Sequence, residues 1–163
     1  MTNQQWTSHL WINQKKGMKK VTNQEKQSEE LFFLLKNLSN QMNLCFEKRT
    51  ECSLTRYEIM HILAKKERVL QGDLQRELKI DPAAVTRHLK KLEEEKCIVR
   101  ERNSQNNREV YVQITPIGLK RMQSCQSKTI DTLEQVYQGI TNEQRKELIG
   151  IVEKISQNIS TIN

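Results

Sequence analysis

The residues of this sequence best suited to chemistry are basic and small side chains gathered on one short segment. They are Ala83, Ala84, Arg87, Lys90 and Lys91. At about 100° of rotation per residue, a helix places them opposite an apolar stripe of Val85, Leu89 and Leu92. Alanines let a helix backbone come close to base edges, and arginine and lysine contact bases and phosphates. The pattern predicts a helix that lies in the major groove of double-stranded DNA.

The residues of this helix differ in how specifically each of them indicates a DNA contact. Arg87 lies farthest from the apolar stripe, which favours a base or phosphate contact over a purely solvated position. Thr86 lies at the edge of the face, and its hydroxyl would bond either a phosphate or a carbonyl of its own helix. Lys90 and Lys91 are either phosphate contacts or a solvated surface, with contact favoured for Lys90. His88 lies near the stripe, so we expect packing rather than base recognition.

A polar, turn-rich segment follows, between two segments that alternate apolar and polar residues. The alternating segments are 98–102 and 110–114, and NSQNNR at 103–108 separates them. This pattern predicts two antiparallel strands joined by a polar tip, together called the wing. An arginine at the tip is either an ordinary hairpin charge or a contact to the narrow, negative minor groove. We expect DNA contacts from Arg102, Asn106 and Arg108.

The surrounding elements predict how the basic helix is held. Asp81 is a good N-cap and Pro82 is tolerated in the first turn, so the helix start is signalled twice. Residues 70–80 carry Leu74 and Leu78 at helical spacing, and a short link joins them to Asp81. Two helices linked in this way predict a helix-turn-helix.

Further helices are predicted on both sides of this unit. Their start signals are residue pairs: Thr55 with Glu58, Thr115 with Pro116, and Thr141 with Gln144. A long amphipathic helix at 24–48 and the last helix carry more apolar surface than a small winged unit covers. We expect them to cover each other across the two-fold axis of a homodimer. Such a dimer separates two recognition helices by about 34 Å, one turn of DNA.

The predicted fold is mainly α-helical with a small antiparallel β wing, that is, a winged helix-turn-helix with N- and C-terminal dimerisation helices. Residues 1–23 are predicted to be a flexible basic extension, unless the chain starts at Met18. The predicted parts after it are a dimerisation helix at 24–50, the DNA-binding domain at 54–115, and C-terminal dimerisation helices at 116–163.

These segments resemble the MarR family of bacterial winged-helix regulators over roughly residues 24–159. The similarity is carried by LTRYEIMHIL at 54–63, DLQRELKIDPAAVTRHLKKLEEE at 73–95, REVYVQIT at 108–115 and TPIG at 115–118. It implies that Arg87 faces the groove and that a small phenolic or lipophilic ligand binds between the dimer helices and the DNA-binding lobe. Lys96 stands where the family usually has glycine, and Asn106 where it usually has aspartate. A left-handed Lys96 would cost roughly 1 kcal/mol.

Charge and hydropathy restrict the compartment and the partner. The formal net charge of +7 favours a polyanionic partner. No run of about 18 apolar residues spans a membrane, and no signal-peptide core begins the chain. We therefore expect a cytoplasmic protein without a membrane partner.

The four cysteines have no CxxC spacing, which indicates reduced thiols rather than a zinc site or a disulfide framework. Cys45 and Cys125 are most simply packing residues. Cys52, near a helix boundary, and Cys97, beside a lysine at the turn into the wing, are the redox candidates, because exposure there would favour thiolate. The histidines are too far apart to predict a metal site: His9, His61 and His88.

The sequence predicts a dimeric transcription regulator, most simply a repressor, that binds a pseudo-palindromic operator. A small-molecule effector would change its DNA affinity, and no other cofactor is expected. No glycine-rich phosphate loop or nucleophile elbow indicates an enzyme. Two alternatives are a thiol-based redox regulator of the same fold and a winged-helix interaction module that does not bind DNA.

Overall fold

The computed structural model describes residues 22–106 and 108–162. The predicted basic extension and the choice between Met1 and Met18 lie outside these residues, apart from the last two positions of the extension. The helices and strands are α1 (Asn23–Thr50), α2 (Leu54–Lys65), β1 (Val69–Leu70), α3 (Gln71–Leu78), α4 (Pro82–Glu94), β2 (Ile98–Arg102), β3 (Val110–Ile114), α5 (Pro116–Val136) and α6 (Asn142–Ile162). The chain divides into two compact units after Met42, so α1 contributes to both.

The core of the second unit explains which face of α4 remains outside. Its fully buried aliphatic and methionine side chains come from α2, α3, α4 and the sheet: Ile59, Met60, Leu63, Leu74, Val85, Leu89, Leu92, Ile98 and Val112. Each large aliphatic side chain buried in this way stabilises the fold by roughly 1.5–3 kcal/mol. Because Val85, Leu89 and Leu92 all point into this core, the basic face of α4 points outward.

The wing belongs to a three-stranded antiparallel sheet with strand order β1-β3-β2. The predicted bounds of β2 and β3 are confirmed, with Ile98 opposite Ile114 and Arg102 opposite Val110. The sequence did not predict β1, which pairs Val69 with Val112. Two residues are too few to show the alternation by which a strand is recognised.

Caps define the helix ends, and one of the predicted caps is wrong. Ser53, not Thr55, caps α2, and its side chain accepts a hydrogen bond from the backbone N of Arg56. The start of α5 at Thr115 is confirmed, since its hydroxyl accepts from the N of Gly118 at 3.1 Å. The capping box of α6 is confirmed by the reciprocal bonds between Thr141 and Gln144.

Both terminal helices expose large apolar side chains. On α1 within the first unit, these are Leu31, Phe32, Phe33, Leu34 and Leu38. Helix α6 contains no buried residue, and it exposes Leu148, Ile149, Ile151, Val152, Ile159 and Ile162. No helix in residues 22–106 and 108–162 combines the length and apolarity that crossing a membrane requires.

Candidate nucleic-acid interface

The start of α4 is built as its sequence predicts. The Asp81 carboxylate accepts a hydrogen bond from the N of Ala84 at 2.9 Å, and Pro82 occupies the first turn. The cap satisfies one of the backbone N–H groups that would otherwise lack a partner at the helix start. Ala83 is exposed and Ala84 is half-buried, so a small-residue surface lies beside the cap.

The cations of α4 are not equivalent in the structure. Arg87 and Lys90 are exposed, and within the described part of the chain no carboxylate oxygen lies within 4.0 Å of their charged nitrogens. The Nζ of Lys91, in contrast, lies 3.8 Å from Glu94 and 4.0 Å from Glu95. An exposed pair of this kind contributes roughly 0.3–0.5 kcal/mol, yet it partly neutralises Lys91. Arg87 and Lys90 are therefore the more available charges.

Thr86 and His88 both interact with groups of the protein itself. The Thr86 hydroxyl donates a hydrogen bond to the carbonyl of Pro82 at 3.0 Å, while its own oxygen can still accept one. Burial lowers the pKa of His88, and the charges of Arg56 and Arg87 lower it further. His88 is thus neutral near pH 7 and adds no charge to the basic face.

The wing tip is held by a compact set of hydrogen bonds around Asn106. Its backbone N donates to the carbonyl of Asn103 at 3.2 Å, and its own carbonyl accepts from the N of Glu109 at 2.9 Å. Its side-chain oxygen accepts from the backbone N of Arg108 at 3.2 Å. Asparagine therefore organises the turn through its amide oxygen, as an aspartate carboxylate also could. Arg102 and Arg108 remain exposed at this end of the sheet.

The wing is held in place by ion pairs of two arginines, Arg68 and Arg100, which were not predicted from the sequence. Arg100 donates from Nε to Glu93 at 3.0 Å, which ties β2 to the last turn of α4. Arg68 pairs with Glu101 at 2.9 Å and lies 3.9 Å from the centre of the Tyr111 ring. The signal for Arg100 was present, because period-two alternation puts it on the same face of β2 as buried Ile98. A cation on an inward face needs a carboxylate nearby.

The corner between α4 and β2 explains Lys96. The N of Lys96 donates to the carbonyl of Glu93 at 2.9 Å, and the N of Cys97 to the carbonyl of Leu92 at 2.8 Å. This Schellman arrangement requires a left-handed residue, and Lys96 has φ +57°. The left-handed conformation that glycine usually adopts at such a corner is thus adopted by lysine.

The expected exposure of the two redox candidates, Cys52 and Cys97, is wrong. Cys97 is completely buried and Cys52 is 2% exposed. Burial raises the pKa of the Cys52 thiol to about 11, and it also raises the pKa of Cys97. Both thiols are protonated near pH 7, which removes the thiolate that a sensor needs. Cys125 is buried as expected, while Cys45 is half-buried. The described residues contain no group of three or more histidine, cysteine or acidic side chains suited to a metal ion.

Related sequences carry the same module. Residues 52–110 match the MarR family. The chain is 31% identical over 133 residues to the uncharacterised HTH-type transcriptional regulator YdgJ of Bacillus subtilis. The aligned segment covers 82% of this chain and 81% of that protein. A second B. subtilis HTH-type regulator, YwhA, is 26% identical over 85 residues, or 52% of this chain and 61% of that protein.

Solved structures share the fold. A MarR variant from E. coli in complex with operator DNA aligns with a TM-score of 0.73 at 16% identity, covering 82% of this chain and 99% of that chain. BpsR of Bordetella bronchiseptica, whose DNA binding is regulated by 6-hydroxynicotinic acid, aligns with a TM-score of 0.71 at 16% identity, covering 78% and 98%. The winged fold, the family match and the identity to YdgJ agree: the chain belongs to the MarR family of transcriptional regulators.

Proposed function

We propose that this regulator is a homodimeric repressor that binds a pseudo-palindromic operator in double-stranded DNA. The observation that carries the proposal is the outer face of α4. Three buried residues fix the rotation of this helix, and Arg87 and Lys90 then point outward without a carboxylate nearby in the described residues. A cationic helix face beside small residues is suited to the major groove.

Each residue of the interface has a proposed role. Arg87 contacts a base edge or phosphate, while Ala83 and Ala84 allow close approach to bases. Thr86, Lys90 and, more weakly, Lys91 contact phosphates. On the wing, Arg108 enters the minor groove, Arg102 contacts the backbone beside it, and Asn106 shapes the tip. The E. coli MarR variant, which shares the fold, was solved in complex with operator DNA, and this supports DNA binding by analogy.

The exposed apolar side chains on the terminal helices support a homodimer. The stripes on α1 and α6 each expose several large aliphatic or aromatic residues. A soluble monomer rarely leaves surfaces of this kind open, and a second copy of the chain would bury them. Two linked recognition helices also gain affinity, because the second binding event becomes intramolecular.

A small-molecule effector is the proposed control, since 6-hydroxynicotinic acid regulates DNA binding by BpsR. Such a ligand changes DNA affinity only if it binds the DNA-competent and incompetent conformations differently. A regulator of bacterial DNA acts in the cytoplasm, which is where we place this protein.

The proposal is tested with the duplex that flanks the protein's own coding region and a scrambled duplex of equal length. We expect tighter binding to the first, with log affinity falling linearly as log salt concentration rises. Arg87→Ala should cost on the order of 1–3 kcal/mol of binding free energy and relax base preference, if the contact is bidentate. Lys91→Ala is the matched control and should lose less, because Glu94 and Glu95 already pair with Lys91.

Two results would contradict the proposal. Absence of salt-dependent duplex binding would favour the winged-helix interaction module. Equal losses for the Arg87 and Lys91 variants on every sequence would show that α4 contributes only general charge.

A further inference from the structure

Glu95 lies where the end of α4 meets two other helices. One carboxylate oxygen lies 3.1 Å from Arg56 of α2, and the other lies 2.9 Å from Arg121 of α5. The side chain of Glu95 is only 20% exposed and that of Arg56 only 16%, whereas that of Arg121 is 38% exposed. Charges this sheltered are screened less than the exposed pairs elsewhere on the protein. Glu95 therefore joins three helices through ionic contacts, of which the contact with Arg56 is the more sheltered.

The backbone next to Glu95 rests directly on the start of α5. The carbonyl of Cys97 accepts from the backbone N of Thr115 at 2.9 Å, and the Thr115 hydroxyl donates to the carbonyl of Lys96 at 2.7 Å. A Cβ on Gly118 would lie 2.1 Å from the Cys97 carbonyl oxygen, so only glycine permits this approach. The corner after α4 and the first turn of α5 are thus in direct backbone contact.

Arg121 extends this contact by one turn along α5. Its guanidinium lies 2.9 Å from the second carboxylate oxygen of Glu95, and that oxygen accepts no hydrogen bond from the described residues. The contact is accordingly held by charge rather than by a directed bond. The Arg56 contact joins Glu95 to α2, a helix that packs against both α4 and α5, and losing it leaves the Glu95–Arg121 pair in place.

From this geometry we infer that Glu95 and Arg121 form a positioning joint, which transmits the orientation of α5 to the recognition helix and so sets the spacing of the two DNA-reading helices in the dimer. The inference rests on the proposed function. The joint contributes no DNA contact of its own. It acts on how well both recognition helices fit one operator at the same time.

The test compares affinity for a full operator with affinity for a single half-site, using the full-length protein. The ratio of the two affinities measures how well the second recognition helix is placed, whereas damage to the helix itself lowers both affinities equally. We expect Arg121→Met to reduce this ratio about tenfold, within the range of about 5–150-fold typical of coupling between sites, with half-site affinity unchanged. Arg121→Lys keeps the charge and should restore most of the ratio.

Arg56→Met is the matched control. It removes the other partner of Glu95 but leaves the connection to α5 intact, so it should lower the Tm without changing the ratio. Thermal unfolding of every variant shows whether it is folded at the assay temperature. If Arg121→Met does not fold, Glu95→Gln is measured in its place and should lower the ratio in the same direction.

The outcomes are distinguishable. A parent protein that binds no duplex overturns both the proposed function and the joint. A parent that gains affinity from the second half-site, with an Arg121 or Glu95 variant that keeps the whole gain, overturns the joint alone. Equal loss of the ratio in the Arg56 and Arg121 variants also overturns it, because the effect would then be a general loss of structure.

Discussion

Gly118 gives the sharpest test of how α5 is attached to the winged unit. In Gly118→Ala, the new Cβ would lie 2.1 Å from the carbonyl oxygen of Cys97, and 2.9 Å from both the carbonyl carbon of Cys97 and the Cγ1 of Ile114. Two of these neighbours are backbone atoms, and the carbonyl already accepts from the backbone N of Thr115. The clash cannot be relieved by rotating a flexible side chain, so the helix start or the corner must shift.

Overpacking of this kind typically costs 1–3 kcal/mol, and we expect a value of about 3 kcal/mol because backbone atoms are involved. For a chain of this size, 1 kcal/mol corresponds to a Tm change of roughly 2–4 °C. Gly118→Ala should therefore lower the Tm by about 6–12 °C, as followed by circular dichroism of the helices.

Gly72→Ala is the matched control for this measurement. Gly72 also lies within a helix, but a Cβ there would meet nothing within 4 Å. Alanine favours helices over glycine, so this variant should keep the Tm or raise it slightly. An unchanged Tm for Gly118→Ala, measured beside the Gly72 control, would refute the close packing of α5 against the corner.

Other predictions concern the wing, the dimer and the thiols. Arg108→Ala should weaken binding most on operators with a narrow minor groove, and equal losses on all sequences in a competition assay would contradict this role. Truncation before Thr141 removes α6, and should give a monomer or an aggregate by analytical ultracentrifugation with sharply lower operator affinity; a soluble dimer with full affinity would place the interface elsewhere. Cys52 and Cys97 should react with a thiol reagent at pH 7 only as fast as the protein unfolds, whereas rapid reaction would contradict their burial. Because the pKa of Cys52 is raised from 9.0 to about 11, the folded state binds the extra proton between these values, and unfolding measurements should show stability falling as pH rises from about 9 toward 11.

Local signals explain why α4 and its outward basic face were predictable. The cap at Asp81, the proline after it and the spacing of Val85, Leu89 and Leu92 act within a few residues of each other. Their combined effect sets both the start of α4 and its buried face. The direction of Arg87 then follows from helix geometry, while its contact with DNA remains a prediction.

Short or ambiguous signals account for the predictions that were wrong. Ser53 and Thr55 are both acceptable caps, and the structure selects the one whose side chain reaches the backbone N of Arg56. Cys97 stands beside lysine in sequence, yet residue type and neighbours do not reveal solvent exposure. Its burial arises because Cys97 follows the left-handed corner and turns inward toward the core.

The sequence by itself determined α4, the two long strands of the wing and the capped starts of α5 and α6, because periodicity and capping depend on neighbouring residues. Only the tertiary structure decided which charges meet. Glu95 pairs with Arg56, 39 positions away, and with Arg121 on another helix, while Lys91 turns toward carboxylates of its own helix. Such pairs depend on the three-dimensional path of the chain, which brings distant residues within 4.0 Å. For that reason the basic face of α4 could be predicted from the sequence. The contact between Glu95 and Arg121 of α5 could be identified only in the folded structure.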